Sequence, residues 1–235
     1  VLSPGVPTDL PMVNAIRDKK IPIIGEIELA YQCAKGKILA ITGTNGKTTT
    51  TALLGEIMKN YFSDVKVVGN IGIPYTSVAA DTTEETVTVA EISSFQLETA
   101  VEFRPEVSAI LNITPDHLNR HHTMENYIAA KESITKNQTA DDICVLNYED
   151  EVLREFGAGL QTKVIYFSSA RKLENGYYLD GTDICRAVDG KAEHICNVEE
   201  LNLLGKHNYE NVMAATAMAA GFGVPLEKIK EVLVR

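Results

Sequence analysis

At 235 residues the chain is long enough for one large domain or two small ones, and its 45% hydrophobic content can supply a sizeable core. A formal net charge of -10 excludes a generally basic, nucleic-acid-binding face. No stretch reaches the roughly 18 consecutive apolar residues of a membrane span, and the first residues lack the basic-then-apolar pattern of a secretory signal. The expectation is a soluble, cytoplasmic, monomeric protein with no nucleic-acid or membrane partner.

The segment 1–35 is proline-rich and opens on VLSPGVP without a methionine, and the last residues, LEKIKEVLVR, read as an amphipathic helix. Both ends are expected to be cuts, with 1–35 the tail of a preceding domain. From residue 37 strands alternate with helices. KILAIT (37–42) is a compact apolar strand, and residues 48–62 carry Leu53, Leu54, Ile57 and Met58 at helical spacing. Strands follow at 65–70, 86–93 and 107–114, then a helix from Met124 to about Asn137 and a strand at 142–147. Continuous apolar strands alternating with helices predict an α/β fold, a doubly wound and mostly parallel sheet. Between Ser168 and Asn202 the Asp-Gly pairs at 180–181 and 189–190 predict a small antiparallel excursion of hairpins. An Ala-rich helix over 207–224 completes the pattern. Cys33, Cys144, Cys185 and Cys196 are widely spaced, form no C-x-x-C pair and have apolar neighbours, so reduced structural thiols are expected.

The strand at 37–42 runs into GTNGKTT and then a helix. A Gly-rich turn in that context aims backbone N–H groups and a helix N-terminus at an anion. Gly43, Thr44, Asn45, Gly46, Lys47, Thr48 and Thr49 are therefore the candidate phosphate loop, with Lys47 reaching the outer phosphates and the Thr48 hydroxyl helping to bind Mg²⁺. The glycines stand two residues closer than in the common G-x-x-x-x-G-K-[ST] pattern, and the alternative is an ordinary strand-to-helix turn. Glu91 ends an apolar strand at the carboxyl edge, where a carboxylate near a phosphate loop suits a hard cation or, more plainly, the surface. Asp116, His117, His121 and His122 cluster after the strand at 107–114, and three of the five histidines fall within six residues. Any of these can ligate, shuttle a proton or be structural. Asn208 and Asn211, three apart on one helix face, can read a nucleobase edge, although Asn208 also suits a helix cap. Periodicity makes Lys131 a solvated lysine on an amphipathic helix.

In this order, GTNGKTTT, GNIG (69–72), EISSFQLE (91–98), NITPDHLNRH (112–121), AAK (129–131) and GKHNYEN (205–211) resemble the P-loop NTPase-like central domain of the Mur ligases. EISSFQLE, with SPGVP and GEIEL upstream, is most similar to the branch that adds D-glutamate. The resemblance implies ATP-dependent amide formation in peptidoglycan precursor synthesis. ATP would phosphorylate UDP-N-acetylmuramoyl-L-alanine to an acyl phosphate, which the amine of D-glutamate attacks, giving ADP and phosphate. It implies that Lys131 is carbamylated and helps hold a second Mg²⁺, and that two Mg²⁺ are bound through Thr48, Glu91, His117 and Lys131. Lys47, His117 and Lys131 would be catalytic, Asn208 and Asn211 would lie beside adenine, and Asn70, Ser93 and Gln96 would line the substrate pocket, with Ser94 beside them. The family commonly has D-H-L-D-R-H where this chain has Asn119, so Asn119 takes no charge-dependent role. Residues 1–35 become the tail of a UDP-substrate domain and 36–235 the ATP-binding domain, without the amino-acid-binding domain. Such a chain is expected to bind ATP–Mg²⁺ weakly and not to complete a ligation cycle alone. Two other readings stay open: a sibling Mur or folylpolyglutamate synthase-like ligase, and a nucleotide-binding module without amide chemistry.

Overall fold

A computed structural model describes residues 1–201 and 205–235. In chain order, helices α1 (Pro11–Asp18) and α2 (Glu26–Cys33) precede strand β1 (Lys37–Thr42), α3 (Lys47–Tyr61), β2 (Val65–Gly69) and β3 (Val87–Glu91). Then come the one-turn α4 (Ser94–Leu97), β4 (Val107–Ile110), the one-turn α5 (Leu118–His121), α6 (Met124–Glu132), β5 (Ile143–Asn147), α7 (Glu151–Gly159) and β6 (Lys163–Ser168). Strands β7 (Gly176–Asp180), β8 (Asp183–Val188) and β9 (Lys191–Asn197) lead to α8 (Lys206–Phe222) and α9 (Leu226–Leu233).

The described strands form one sheet in the order β2-β3-β1-β4-β5-β6-β7-β8-β9. From β2 to β7 all pairs are parallel, and β7-β8-β9 are antiparallel. The expected hairpins thus extend the main sheet, because β7 pairs in parallel with the end of β6 at Phe167↔Tyr177 and Ser168↔Tyr178. Their expected limit, Asn202, lies outside the described residues. The central strands β1, β3, β4 and β5 are buried on both faces. Leu39 and Ile41 point into a core shared with α3, α8 and α9, and Ile38 and Ala40 into a second core with Tyr75 and Tyr127. Helix α8 is Ala-rich because it packs directly against the sheet and α3, with Ala214, Ala215, Ala217 and Ala219 fully buried. Among the described residues no helix is long and apolar enough to cross a membrane.

The segment before β1 is not a loose tail. Ile27 and Ala30 of α2 sit in the second core, and the buried Glu28 carboxylate accepts hydrogen bonds from the N–H groups of Val101, Glu102 and Phe103 at 2.8–3.0 Å. All four cysteines are free. Burial pushes the Cys144 and Cys196 thiols up to about 12, the range of inert thiols, but Cys33 is exposed at the end of α2, contrary to the apolar setting expected from its neighbours.

Strand β1 is flanked by β3 and β4, and the chain crosses from one side of β1 to the other between them. Ligands in open α/β sheets bind at such a switch point, outside the carboxyl ends of the strands. The loops after β1, β3 and β4 all emerge there.

Candidate functional site

The loop after β1 turns through Gly46, whose left-handed backbone (φ 85°) caps α3. A Cβ at this position would stand 2.3 Å from Asn211 Oδ1, so both conformation and space require glycine. Asn112, just after β4, braces the loop like a neighbouring strand: its Oδ1 accepts from Asn45 N at 2.8 Å and its Nδ2 donates to Asn45 O at 3.1 Å. Thr44 N donates to Asn112 O at 2.9 Å, Thr114 N donates to Thr44 Oγ1 at 3.0 Å, and the Thr44 and Tyr127 hydroxyls lie 3.0 Å apart. The loop's shape is thus set from outside itself by residues 112–127.

At the end of β3, Glu91 is 1% exposed. Thr48 Oγ1 donates to its Oε2 at 2.8 Å and Asn70 Nδ2 to its Oε1 at 3.0 Å. The carboxylate is therefore anchored by two neutral donors beside the phosphate loop. Register explains the convergence: Glu91 pairs with Ile41 on one side and Gly69 on the other, so the chain leaving β2 passes directly over it.

Two lysines meet on a single carbonyl. Lys47 Nζ donates to Gly43 O at 2.9 Å and Thr44 O at 2.8 Å, and Lys131 Nζ donates to the same Gly43 O at 2.8 Å. Lys131 is 2% exposed, lies over the Tyr127 ring at 4.6 Å and forms no ion pair among the described residues. Burial, reinforced by the Lys47 charge and opposed by Asp116, brings its amine down to about 7. Burial also lowers Lys47, against the pull of Glu91 and Asp116. A cavity of ≈ 250 Å³ is lined by Lys47, Asn70, Ser93, Ser94, Phe95, His117, Tyr127 and Lys131. His117 enters it from a left-handed backbone, φ 52°, with its ring 5.0 Å from Phe95.

On the other flank of the loop a cavity of ≈ 510 Å³ is lined by Asn45, Gly46, Thr49, Asn112, Phe167 and the start of α8, including Asn208 and Asn211. Asn211 is 7% exposed, accepts from Thr50 Oγ1 at 3.3 Å and donates to Asn208 Oδ1 at 3.4 Å.

Gln96 and His122 line neither of these two cavities. Gln96 turns back to form a capping box with Ser93: Ser93 N donates to Gln96 Oε1 at 2.9 Å and Gln96 N to Ser93 Oγ at 3.2 Å. Its amide therefore faces the cap, while Ser93 and Ser94 reach the cavity. His122 is exposed, 3.3 Å from Asp9, and Asn119 is exposed. Sequence reasoning did not single out Asn112 or Tyr127. Both lie within or next to quoted motifs, and the signal was there in the Asn that opens NITPDHL. Among the described residues no three His, Cys, Asp or Glu side chains converge on a point. The available donors, the Thr48 hydroxyl, the Glu91 carboxylate and the His117 imidazole, fit an ion such as Mg²⁺ that takes one or two carboxylates and completes its shell with phosphate and water.

Residues 41–219 match the family model described as the Mur ligase middle domain. The chain is 59% identical over 235 residues to the UDP-N-acetylmuramoylalanine--D-glutamate ligase of Lachnoclostridium phytofermentans, covering 100% of this chain and 52% of that protein. It is 52% identical to the protein of the same name from Clostridioides difficile, with the same coverage. The chain spans about half the length of the curated relatives it matches. Among solved structures, a UDP-N-acetylmuramate:L-alanyl-gamma-D-glutamyl-meso-diaminopimelate ligase from Neisseria meningitides aligns with TM-score 0.70 at 19% identity over 98% of this chain and 76% of that one. A UDP-N-acetylmuramoyl-L-alanyl-D-glutamate--2,6-diaminopimelate ligase aligns with TM-score 0.69 at 22% identity over 94% of this chain and 48% of that one. These two likenesses establish the fold. With the family match spanning the phosphate loop, the Glu91 strand, Lys131 and the start of α8, the chain belongs to the Mur ligase family.

Proposed function

We propose that this chain is the nucleotide-binding central portion of a cytoplasmic, monomeric enzyme that uses ATP to join D-glutamate to UDP-N-acetylmuramoyl-L-alanine through an acyl phosphate. Residues 1–35 belong, on this reading, to the end of a UDP-substrate domain, and the amino acid is held by a further domain. The choice of D-glutamate rests on the names of the relatives. The chemistry rests on one observation above all: a half-buried lysine, Lys47, and a buried one, Lys131, share the Gly43 carbonyl at the mouth of a cavity also lined by His117, Asn70 and Ser93. On top of burial, their mutual repulsion favours the neutral form of the more buried Lys131 and leaves Lys47 as the cation that faces the outer phosphates.

Lys47 turns from the loop carbonyls to the outer phosphates, and the N–H groups at the start of α3 hold the rest of the chain of phosphates. Asn208 and Asn211 present amides to the adenine edge in the larger cavity. Asn70 and Ser93 orient the sugar-peptide carboxylate in line with the outer phosphorus, which is most of what phosphoryl transfer requires of a protein. Lys131 is buried with an amine near neutrality, the form that adds CO₂. From the neutral amine the N–C bond forms as one C–O π bond of CO₂ gives way, one proton leaves the nitrogen, and the amine becomes a carbamate anion. Thr48, Glu91, His117 and carbamylated Lys131 would hold two Mg²⁺. When bound, these ions screen the negative charges that converge as phosphate and carboxylate meet.

The test is phosphate release from ATP by the full-length protein carrying this chain. Release that requires both UDP-N-acetylmuramoyl-L-alanine and D-glutamate supports the proposal. Equal release with another amino acid, or with neither substrate, overturns it. Intact-mass spectrometry under CO₂ checks the Lys131 adduct by the added mass of one CO₂.

A further inference from the structure

The walls of the inner cavity come from separate elements, and one buried histidine outside the proposed ligand set joins them. His117 holds a left-handed backbone that a non-glycine residue keeps only where its surroundings impose it. It precedes α5, a single turn, and His121 closes that turn, 5% exposed. The Nε2 of His121 lies 2.9 Å from Ser94 Oγ, and its Nδ1 lies 3.4 Å from Glu98 Oε1. Its ring meets Phe95 at 5.4 Å and Tyr127 at 5.2 Å. Glu98 also accepts from Arg120 Nη2 at 2.7 Å and from Thr8 Oγ1 at 3.4 Å.

Three neighbours of His121 line the cavity, two from α4 and one from α6. Ser94 and Phe95 line it through α4, and Phe95 packs on His117. Tyr127 lines it through α6, touches Thr44 of the phosphate loop through its hydroxyl and carries Lys131 over its ring. Both ring nitrogens face a polar partner, a hydroxyl and a carboxylate, so the orientation of the ring between Phe95 and Tyr127 is fixed as well as its position.

We infer that His121 is a positioning residue, a brace that fixes His117 on one wall and Tyr127 with Lys131 on the other in one geometry. The inference rests on the ligase reading for its consequence in turnover, and on the contacts alone for its structural part. Misplacing groups at a reacting centre by about 1 Å costs on the order of 100-fold in rate.

His121→Phe keeps the ring and removes both polar contacts, and Ser94→Ala removes one. In the full-length protein, H121F is expected to lower kcat about tenfold or more while KM for ATP holds, since the adenine-side cavity does not touch His121. The S94A/H121F double variant should be no slower than H121F, because both cut the same tie. In this chain, amide exchange should quicken at 120–122 and 127–131 with β1, β4 and β5 still protected. Unchanged kcat, or independent and multiplying effects of the two substitutions, overturns the inference. So does exchange that rises through the whole sheet in step with lost activity. If the unaltered protein shows no D-glutamate-dependent turnover, the ligase reading falls, and unchanged exchange at 120–122 and 127–131 still overturns the brace. Should H121F fail to fold, S94A and Glu98→Gln carry the same measurements.

Discussion

The cavity of ≈ 510 Å³ and the cavity of ≈ 250 Å³ flank one phosphate loop and share its backbone, yet they are built from different chemistry. The larger is lined by the amides of Asn45, Asn112, Asn208 and Asn211 with the Phe167 ring among them, a surface whose chemistry suits a flat, neutral, hydrogen-bonding ligand. The smaller gathers Lys47, Lys131 and His117. Amide contacts are worth about 1 kcal/mol each, whereas charges in a water-poor site act with far greater strength on charge that develops there. The larger cavity should therefore set affinity, and the smaller one should set rate.

That division can be broken at several points. Lys47→Ala in the full-length protein should cost on the order of 10²–10³-fold in turnover. A steady-state assay that finds only KM for ATP raised, with kcat intact, would move Lys47 into the affinity side. Lys131 gives a signature in stability. Its amine, about 7 when folded against an ordinary 10.5, binds fewer protons than in the unfolded chain between those two pH values. Stability relative to Lys131→Met should then rise with pH from about 7 to about 10 and be flat below. Thermal melts of both chains in CO₂-free, metal-free buffer check the sign, and an unaltered chain that loses stability relative to Lys131→Met as pH rises contradicts it.

Gly46→Ala tests the shared backbone. A side chain at φ 85°, set against Asn211 Oδ1, should cost about 1–3 kcal/mol of stability and disturb both cavities together. Denaturant unfolding reads the first effect and ATP titration the second. Asn211→Ala should weaken ATP binding about tenfold with kcat held, because it removes a buried amide and leaves the lysines in place. Calorimetric titration of nucleotide into the chain measures it. Least of all, Lys172→Ala breaks an exposed ion pair with Asp180 on the antiparallel side of the sheet and should leave melting temperature and nucleotide affinity unchanged. A clear loss there would mean that β7–β9 take part in the site.

What the sequence determined by itself was local and periodic. Apolar strands alternating with helices predicted a buried parallel sheet, and GTNGKTT between strand and helix predicted a glycine-shaped turn suited to an anion, since glycine conformation and backbone N–H direction are fixed within a few residues. Asp-Gly pairs located the hairpins for the same reason. The order of strands was a tertiary decision, and with it which loops share the β1 edge. Lys131 shows the consequence. Helical spacing makes it a surface lysine, and only the packing of α6 behind the loop brings its amine to Gly43, 88 residues away in sequence, at 2.8 Å. Gln96 shows the reverse: a motif residue expected in the pocket is drawn into the cap of α4 by Ser93. Asn112 and His121 likewise acquire their roles from partners on other elements, Asn45 in one case and Ser94 and Glu98 in the other. A spacing along the chain specifies backbone geometry over one turn or strand. The burial and electrostatics of a side chain depend on neighbours from distant elements, which in this chain the sheet order supplies.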